Sequence, residues 1–208
     1  NLKNSINIWI VNEFNYVLEN LNENLISYRF NEAADVIYKF FWNYYCDWYI
    51  ELIKPSLSEQ KSSEDITEIR NVSSWILFNS LSIINPFMPY ITETVAKDYF
   101  GSKELLISSK WPEKCPINDN DNAKNEINFL ISLLTEIRII RSELSIPYKQ
   151  KLDLLIKNNN SLKLTTIRKY EKIISDISKL SSIKIVDNNF PKGSATGVVE
   201  DVSIGIPL

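Results

Sequence analysis

Apolar residues recur every three or four positions along most of this chain, and this spacing is the feature that most limits its fold. The first stretch that keeps it consists of Leu2, Ile6, Trp9, Ile10, Phe14, Val17, Leu21 and Leu25. Such a period is typical of a helix that buries one face. The 208 residues include only four glycines and eight prolines, which disfavours a turn-rich β-sandwich. The sequence therefore predicts a mainly α fold.

The second helix is predicted over 32–54 and is unusually rich in aromatic side chains. Asn31 is placed to cap it by accepting a backbone N–H, and Pro55 follows its predicted end. Its broad face is predicted to consist of Ile37, Phe41, Tyr44, Tyr45, Trp48 and Leu52. We interpret these rings as packing between helices. The alternative is that one or two rings at an exposed edge stack on nucleic-acid bases.

Two more helices complete a predicted antiparallel bundle. The third stops before Pro86, and the fourth has Pro89 in its first turn and ends at Gly101. The residues of the fourth helix predicted to face inward are Ile91, Val95 and Tyr99. Four helices with short connections are typical of an up-and-down bundle, which we predict over 1–110.

The helical pattern breaks after the bundle. Residues 111–124 are rich in proline, asparagine and aspartate, and we interpret them as a linker. Beyond the linker a helix stops before Pro147, and alternating apolar residues predict strands at 152–156 and 183–185 with a helix between them. The last two predicted strands span 197–200 and 202–206. The order α-β-α-β-β predicts a small α+β subdomain over 125–208.

Charge is unevenly distributed along the chain. Residues 1–100 hold seven basic and 13 acidic side chains, a formal charge of −6, whereas 138–172 hold nine and three, a charge of +6. The basic residues that stand out are Arg138, Arg141, Lys149 and Lys151. The two arginines lie one helical turn apart, as needed to bridge adjacent phosphates. The alternative is that they are solvated and paired with carboxylates such as Glu136.

Several kinds of chemistry are excluded by what the sequence lacks. It has no histidine and none of the glycine-rich or nucleophile motifs that bind nucleotides or attack substrates, so we predict no catalytic, cofactor or metal site. Cys46 and Cys115 are far apart and are interpreted as idle thiols in a reducing cytoplasm. No apolar run is long enough to cross a membrane, which predicts a soluble protein. The start without Met indicates a piece of a longer chain.

Five segments, taken in order, resemble the valyl-tRNA synthetases along nearly the whole chain. They are FNEAADVIYKFFWNYYCDWYIELIKP (30–55), INPFMPYITE (84–93), SSKWPE (108–113), IRIIRSELSIPYKQKL (137–152) and the closing VSIGIPL. The pattern F-F-W followed by C-D-W-Y-x-E-x-x-K-P distinguishes this family from the isoleucyl, leucyl and methionyl enzymes. One departure is Asn85, where the family usually has histidine, and we expect it to affect packing.

The resemblance implies an anticodon-binding bundle of the class I type, followed by a subdomain that contacts the tRNA stem. It implies tRNA(Val) as the partner, with the catalytic domain of the same chain, in a monomer. The residues that it places at RNA are Arg138, Arg141, Lys149 and Lys151, and more weakly Arg70 and Lys61 near the anticodon end. The family uses ATP to join valine to tRNA, but the HIGH and KMSKS signatures and the editing domain are absent here, so these residues alone are predicted to be inactive.

Two alternatives stay open at this point. The piece could be a scaffold that docks on the catalytic domain and has little RNA affinity of its own, which the acidic bundle favours. It could also be the same region of another class I synthetase. In the family, an upstream helix with the pattern R-N-F-x-N-K carries much of the anticodon contact, and a C-terminal coiled coil contacts tRNA; neither is included in this sequence.

Overall fold

The computed structural model describes residues 2–58, 63–117, 121–147, 149–157, 161–187 and 189–207, and the chain divides into two compact units, 1–123 and 124–208. The elements in chain order are α1 (Ser5–Ile26), α2 (Phe30–Lys39), a π-helical segment (Phe40–Tyr49), α3 (Ile50–Ser58), α4 (Ser63–Ile84), α5 (Pro89–Phe100), a 3-10 turn (Leu106–Ser108), α6 (Asp121–Glu143), β1 (Leu152–Lys157), α7 (Ser161–Lys169), α8 (Glu171–Ser178), β2 (Leu180–Ile185), β3 (Ala195–Val199) and β4 (Val202–Ile206). The predicted mainly α fold, a helical bundle followed by a small α+β region, is confirmed.

Helix α1 packs against α2, the π-helical segment and α4. It begins because the Asn4 side chain accepts a hydrogen bond from the Ile6 N–H at 2.9 Å, which satisfies a donor that has no partner within the helix. The predicted apolar stripe is buried at Ile6, Trp9, Ile10, Phe14, Val17 and Leu21. After α1 the chain turns at Tyr28, whose φ of 56° lies in the left-handed region.

The second predicted helix is longer than expected, because helical structure continues from Phe30 to Ser58. Asn31 does not cap it. The Ala33 N–H already donates to the Arg29 carbonyl at 3.0 Å, so Asn31 lies within the first turn. The predicted end at Pro55 was also wrong, since this proline lies inside α3. A proline removes one N–H donor, and the loss is tolerable near the end of a helix that packing holds in place.

The aromatic segment Phe40–Tyr49 is a π-helix, in which hydrogen bonds reach five residues back. A π-helix has more residues per turn than an α-helix, so a face counted with a 3.6-residue period drifts away from the buried face. The buried rings are Phe40, Tyr45 and Tyr49, and Tyr44 is exposed. The predicted face was therefore right for Tyr45 and wrong for Tyr44, and it missed the other two rings.

The buried tyrosines join the π-helical segment to its neighbours. The Tyr49 hydroxyl donates to Asn7 Oδ1 of α1 at 2.9 Å and lies 3.3 Å from Ser73 Oγ of α4. The Tyr45 hydroxyl donates to the Ser73 carbonyl at 3.3 Å, and burial raises the pKa of Tyr45 to about 12. Rings with satisfied hydroxyls between three helices support the packing interpretation of this segment.

Helix α5 begins and ends as predicted, with Pro89 in its first turn and Gly101 as a left-handed C-terminal residue at φ 63°. Its inner face differs in part from the prediction. The buried residues are Thr92 and Ala96. Of the residues predicted to face inward, Val95 is partly buried against the core, whereas Ile91 and Tyr99 are exposed. On this face the buried Asn85 amide donates to Thr92 Oγ1 at 2.9 Å, a polar contact that sequence spacing does not reveal.

Glu93 connects α5 to the 3-10 turn. Its carboxylate accepts hydrogen bonds from the Leu106 N–H at 2.8 Å and the Ile107 N–H at 3.1 Å, and from the Asn85 amide at 3.1 Å. The bond from Leu106 is the main reason that the pKa of Glu93 lies below the ordinary carboxyl value of 4.5. Asn85 thus links the end of α4 to α5 and has a packing role.

We expect Glu93 to make the stability of the first unit sensitive to acid. Its pKa is lower in the folded state than in the unfolded state, so its contribution is present above pH 4.5 and is lost as the pH falls through the folded value. In urea unfolding at pH 6 and pH 3, Glu93→Gln should be less stable than the parent at pH 6, and the difference should be smaller at pH 3. The exposed Glu104→Gln serves as the control, and a pH-independent difference for Glu93→Gln would contradict this role.

The second unit is built around a four-stranded sheet with the order β2-β1-β4-β3. β1 and β2 are parallel, and β4 is antiparallel to both β1 and β3. The central strands β1 and β4 are mostly buried. The sheet packs closely against α6 at Gly197, where a Cβ atom would collide with the Glu136 side chain. The predicted order α-β-α-β-β is confirmed, except that the single helix expected between the first two strands is divided into α7 and α8 at Tyr170.

Candidate nucleic-acid interface

The candidate surface begins at the C-terminal end of α6. Ile137 and Ile140 are buried there, and Arg138 is exposed. The helix ends in a Schellman motif, in which Ser145 has a left-handed φ of 50° and the Ile146 N–H donates to the Arg141 carbonyl at 2.9 Å. The chain therefore reverses direction beside Arg141.

This reversal encloses the Arg141 side chain, so that the residue is only 8% exposed. Its guanidinium donates to the carbonyls of Pro147 at 2.8 Å, Gln150 at 2.9 Å and Ser178 at 3.3 Å. A buried cation is tolerated where such acceptors replace water. The two arginines predicted on one flank are thus separated, with Arg138 facing outward and Arg141 inward. RNA contact by Arg141 stays a prediction, and its burial favours a structural role.

The next two predicted residues, Lys149 and Lys151, are both exposed. Lys149 lies in a turn closed by a bond from the Gln150 N–H to the Pro147 carbonyl at 3.0 Å, and Lys151 directly precedes β1. We call Pro147, Lys149, Gln150 and Lys151 the lysine turn. It presents two cations beside the end of α6, where Arg138 adds a third.

Lys179 belongs to the same region, although sequence reasoning did not identify it. The Leu152 N–H donates to the Lys179 carbonyl at 3.2 Å, and Leu152 pairs with Leu180 in the parallel β1–β2 ladder. Neighbouring strands lie about 4.8 Å apart, so the backbones of Lys151 and Lys179 are adjacent. The sequence does contain a signal for this pairing, because a lysine directly precedes each of the two strands. Lys179 was missed because β2 was predicted to begin at Ile183 instead of Leu180.

Two other basic residues of the second unit contact groups within that unit. Lys169 donates to both carboxylate oxygens of Glu126, at 2.8 and 3.0 Å. Lys163 pairs with Glu200, and its ammonium lies 4.1 Å from the centre of the Phe129 ring. Lys163 and Lys169, which contribute to the formal charge of +6, are therefore partly neutralised by neighbouring carboxylates.

The two weaker candidates belong to the first unit. Arg70 is exposed on α4, and Lys61 lies outside the described residues. Their roles remain predictions. Within the described parts of the chain, no group of three or more metal-binding side chains is suitably placed for a metal ion, and no helix there is long and apolar enough to cross a membrane.

The sequence of the bundle and of the lysine turn matches a known protein family. The family model "Anticodon-binding domain of tRNA ligase" matches residues 7–156, which include most of the first unit, all of α6 and the lysine turn. This chain belongs to that family. Because the match covers well over half of the chain, the bundle, α6 and the lysine turn are parts of an anticodon-binding domain.

Within this family the similar proteins are valine–tRNA ligases. That of Gluconobacter oxydans is 30% identical over 209 residues, which cover 100% of this chain and 23% of the relative. The enzymes of Mesorhizobium japonicum and Granulibacter bethesdensis are each 31% identical, over 99% and 96% of this chain and 22% of each relative. The resemblance drawn from the motifs is confirmed. The chain spans less than a quarter of the length of these relatives.

Proposed function

We propose that this chain is the tRNA-binding region of a valine–tRNA ligase, with tRNA(Val) as its partner. The observation that carries the proposal is the match to the anticodon-binding family over 7–156, which includes the lysine turn. The relatives matched along nearly the whole chain are valine–tRNA ligases, which favours tRNA(Val) over the tRNAs of other class I synthetases.

The two units have different parts in this proposal. In the second unit Arg138, Lys149, Lys151 and Lys179 bind phosphates of the tRNA stem, because they are exposed or partly exposed cations near one end of the sheet. Phosphate contacts of this kind orient an RNA without reading its sequence. The first unit reads the unstacked anticodon bases, with Arg70 and Lys61 at that end.

The chemistry of the whole protein belongs to parts outside these 208 residues. There ATP activates valine, which is then transferred to the tRNA, in a cytoplasmic monomer. The region described here supplies the position of the tRNA rather than a reacting group. It is therefore expected to bind tRNA and to have no ligase activity when it is produced alone.

Filter binding of the chain to tRNA(Val) and to an unrelated tRNA, at about 50 and about 200 mM salt, tests the proposal. About four phosphate contacts should weaken binding roughly 100-fold over this range, because each contact releases condensed counterions. tRNA(Val) should bind more tightly at both salt concentrations. Equal affinity for the two tRNAs would refute anticodon reading, and salt-independent binding would refute the role of the lysines.

A second candidate function is docking on the remainder of the same protein, and an apolar groove in the first unit favours it. The groove has a volume of about 280 Å³ and is lined by Ala34, Ile37, Tyr38, Phe41, Trp42, Ile84, Phe87 and Met88. Tyr38 and Trp42 are stacked, with planes 5° apart, and are 61% and 54% exposed. Such a lining in an acidic unit suits an apolar protein segment better than RNA. If the chain binds neither tRNA(Val) nor the unrelated tRNA, docking on the remainder of the protein is the function that stands.

A further inference from the structure

Arg141 holds the lysine turn from inside. The Pro147 and Gln150 carbonyls that it binds belong to one turn, and that turn is closed by the Gln150 N–H donating to Pro147 at 3.0 Å. One planar guanidinium therefore fixes both ends of the turn. A lysine could not replace it, because an ammonium has no rigid fork of donors in one plane.

The third bond of Arg141 extends this arrangement to α8. Ser178 is the last residue of that helix, where unpaired carbonyls give the helix end a partial negative charge that favours a cation. Lys179 follows directly, with a left-handed φ of 53°. Each of the three lysines, Lys149, Lys151 and Lys179, is thus next in sequence to a residue whose carbonyl Arg141 binds.

We propose that Arg141 is a positioning residue that sets the spacing of these three lysines for RNA phosphates and does not touch the RNA itself. This inference rests on the proposed function. Binding would also have to order a mobile backbone that carries the lysines, and a backbone that Arg141 already holds avoids that part of the entropic cost. It also explains why a cation is buried among backbone carbonyls instead of lying beside Arg138 on the surface.

A double-mutant cycle tests the inference, with tRNA(Val) binding measured at several salt concentrations. Arg141→Lys keeps the positive charge but loses the planar set of guanidinium N–H donors, and we expect it to weaken the affinity for tRNA(Val) about three- to tenfold. In a Lys149→Ala/Lys151→Ala background the same change should have less than about a twofold effect, because there is little left to position. Direct RNA contact by Arg141 predicts the same factor in both backgrounds, and that result would overturn the inference.

Two further measurements separate positioning from general stability. Ile140→Val, in the core beside Arg141, should lower the melting temperature without changing the affinity. Exchange of the Gln150 amide hydrogen should become faster in Arg141→Lys and remain slow in Ile140→Val. Equal losses of affinity in Ile140→Val and Arg141→Lys would reduce Arg141 to a structural residue.

A second variant covers the case in which Arg141→Lys does not fold. Arg141→Gln retains two amide donors and introduces no buried charge, and the same pattern of coupling to Lys149 and Lys151 is expected from it. If Lys149→Ala/Lys151→Ala alone leaves tRNA affinity unchanged, the phosphate-binding role of the turn fails, and the positioning role of Arg141 fails with it. If only the lysine pair has an effect, the proposed function stands and the inference about Arg141 is wrong.

Discussion

Replacing Phe14 with alanine is expected to destabilise the first unit by about 3–5 kcal/mol. Phe14 of α1 is fully buried. Its ring meets Phe40 edge-on at 5.5 Å and Trp75 of α4 at 5.3 Å, so it fills the space between three helices. Truncation removes apolar contacts and leaves a cavity between rigid rings that cannot close it. Folded domains are stable by only about 5–15 kcal/mol, so this loss is a large fraction of the total.

Urea unfolding followed by circular dichroism in the far ultraviolet measures this loss. Tyr16→Ala is the matched control, because Tyr16 is an aromatic residue on the same helix that is 62% exposed. It should change the free energy of unfolding by no more than about 0.5 kcal/mol. If the two variants unfold at the same urea concentration, the contact of Phe14 with Phe40 and Trp75 is not the centre of the bundle core.

Reversing the charge of the lysine turn is expected to cause the largest loss of tRNA binding. In Lys149→Glu/Lys151→Glu two proposed phosphate contacts become repulsions, and the affinity at moderate salt should fall by at least about tenfold, or about 1.4 kcal/mol. The slope of log K against log salt should become shallower by about two, one for each phosphate that the protein no longer neutralises. Both side chains are exposed, so the fold should be preserved.

Lys157→Glu/Lys184→Glu supplies the control for that experiment. Lys157 ends β1, and Lys184 is the last residue but one of β2, so they lie about 20 Å and about 17 Å farther along the strands than Lys151 and Lys179, respectively. The net charge changes by the same amount as in the lysine-turn variant. Equal weakening by both pairs would mean that tRNA responds to overall charge and not to a defined surface.

Much of the architecture could be predicted from the spacing of apolar residues, because a helix or strand that buries one face has apolar residues at regular intervals. α1, the limits of α5 and the order of elements in the second unit were predictable for this reason. The errors have other physical causes. Tyr44 and Tyr49 were assigned with an α-helical period to a π-helical segment, and the inner face of α5 includes Thr92, which accepts a hydrogen bond from the Asn85 amide.

The candidate surface was only partly predictable. Arg138, Lys149 and Lys151 were identified from a local excess of positive charge, and they are exposed. Spacing on an ideal helix could not show that Arg141 points inward, since that depends on where the chain goes after the helix ends. Lys179 was missed because its backbone lies beside that of Lys151 only through the pairing of β1 and β2, which are separated by 22 residues in the chain.

By itself the sequence determined the mainly α class, the family and the position of the basic segment, because each depends on residues close together in the chain. The tertiary structure decided which cation is buried, which lysines are neighbours and which aromatic rings form the core. These depend on backbone carbonyls and strand pairs brought together from distant parts of the chain. The Arg141 guanidinium is buried and not a surface charge because the carbonyls of Pro147, Gln150 and Ser178 accept its hydrogen bonds.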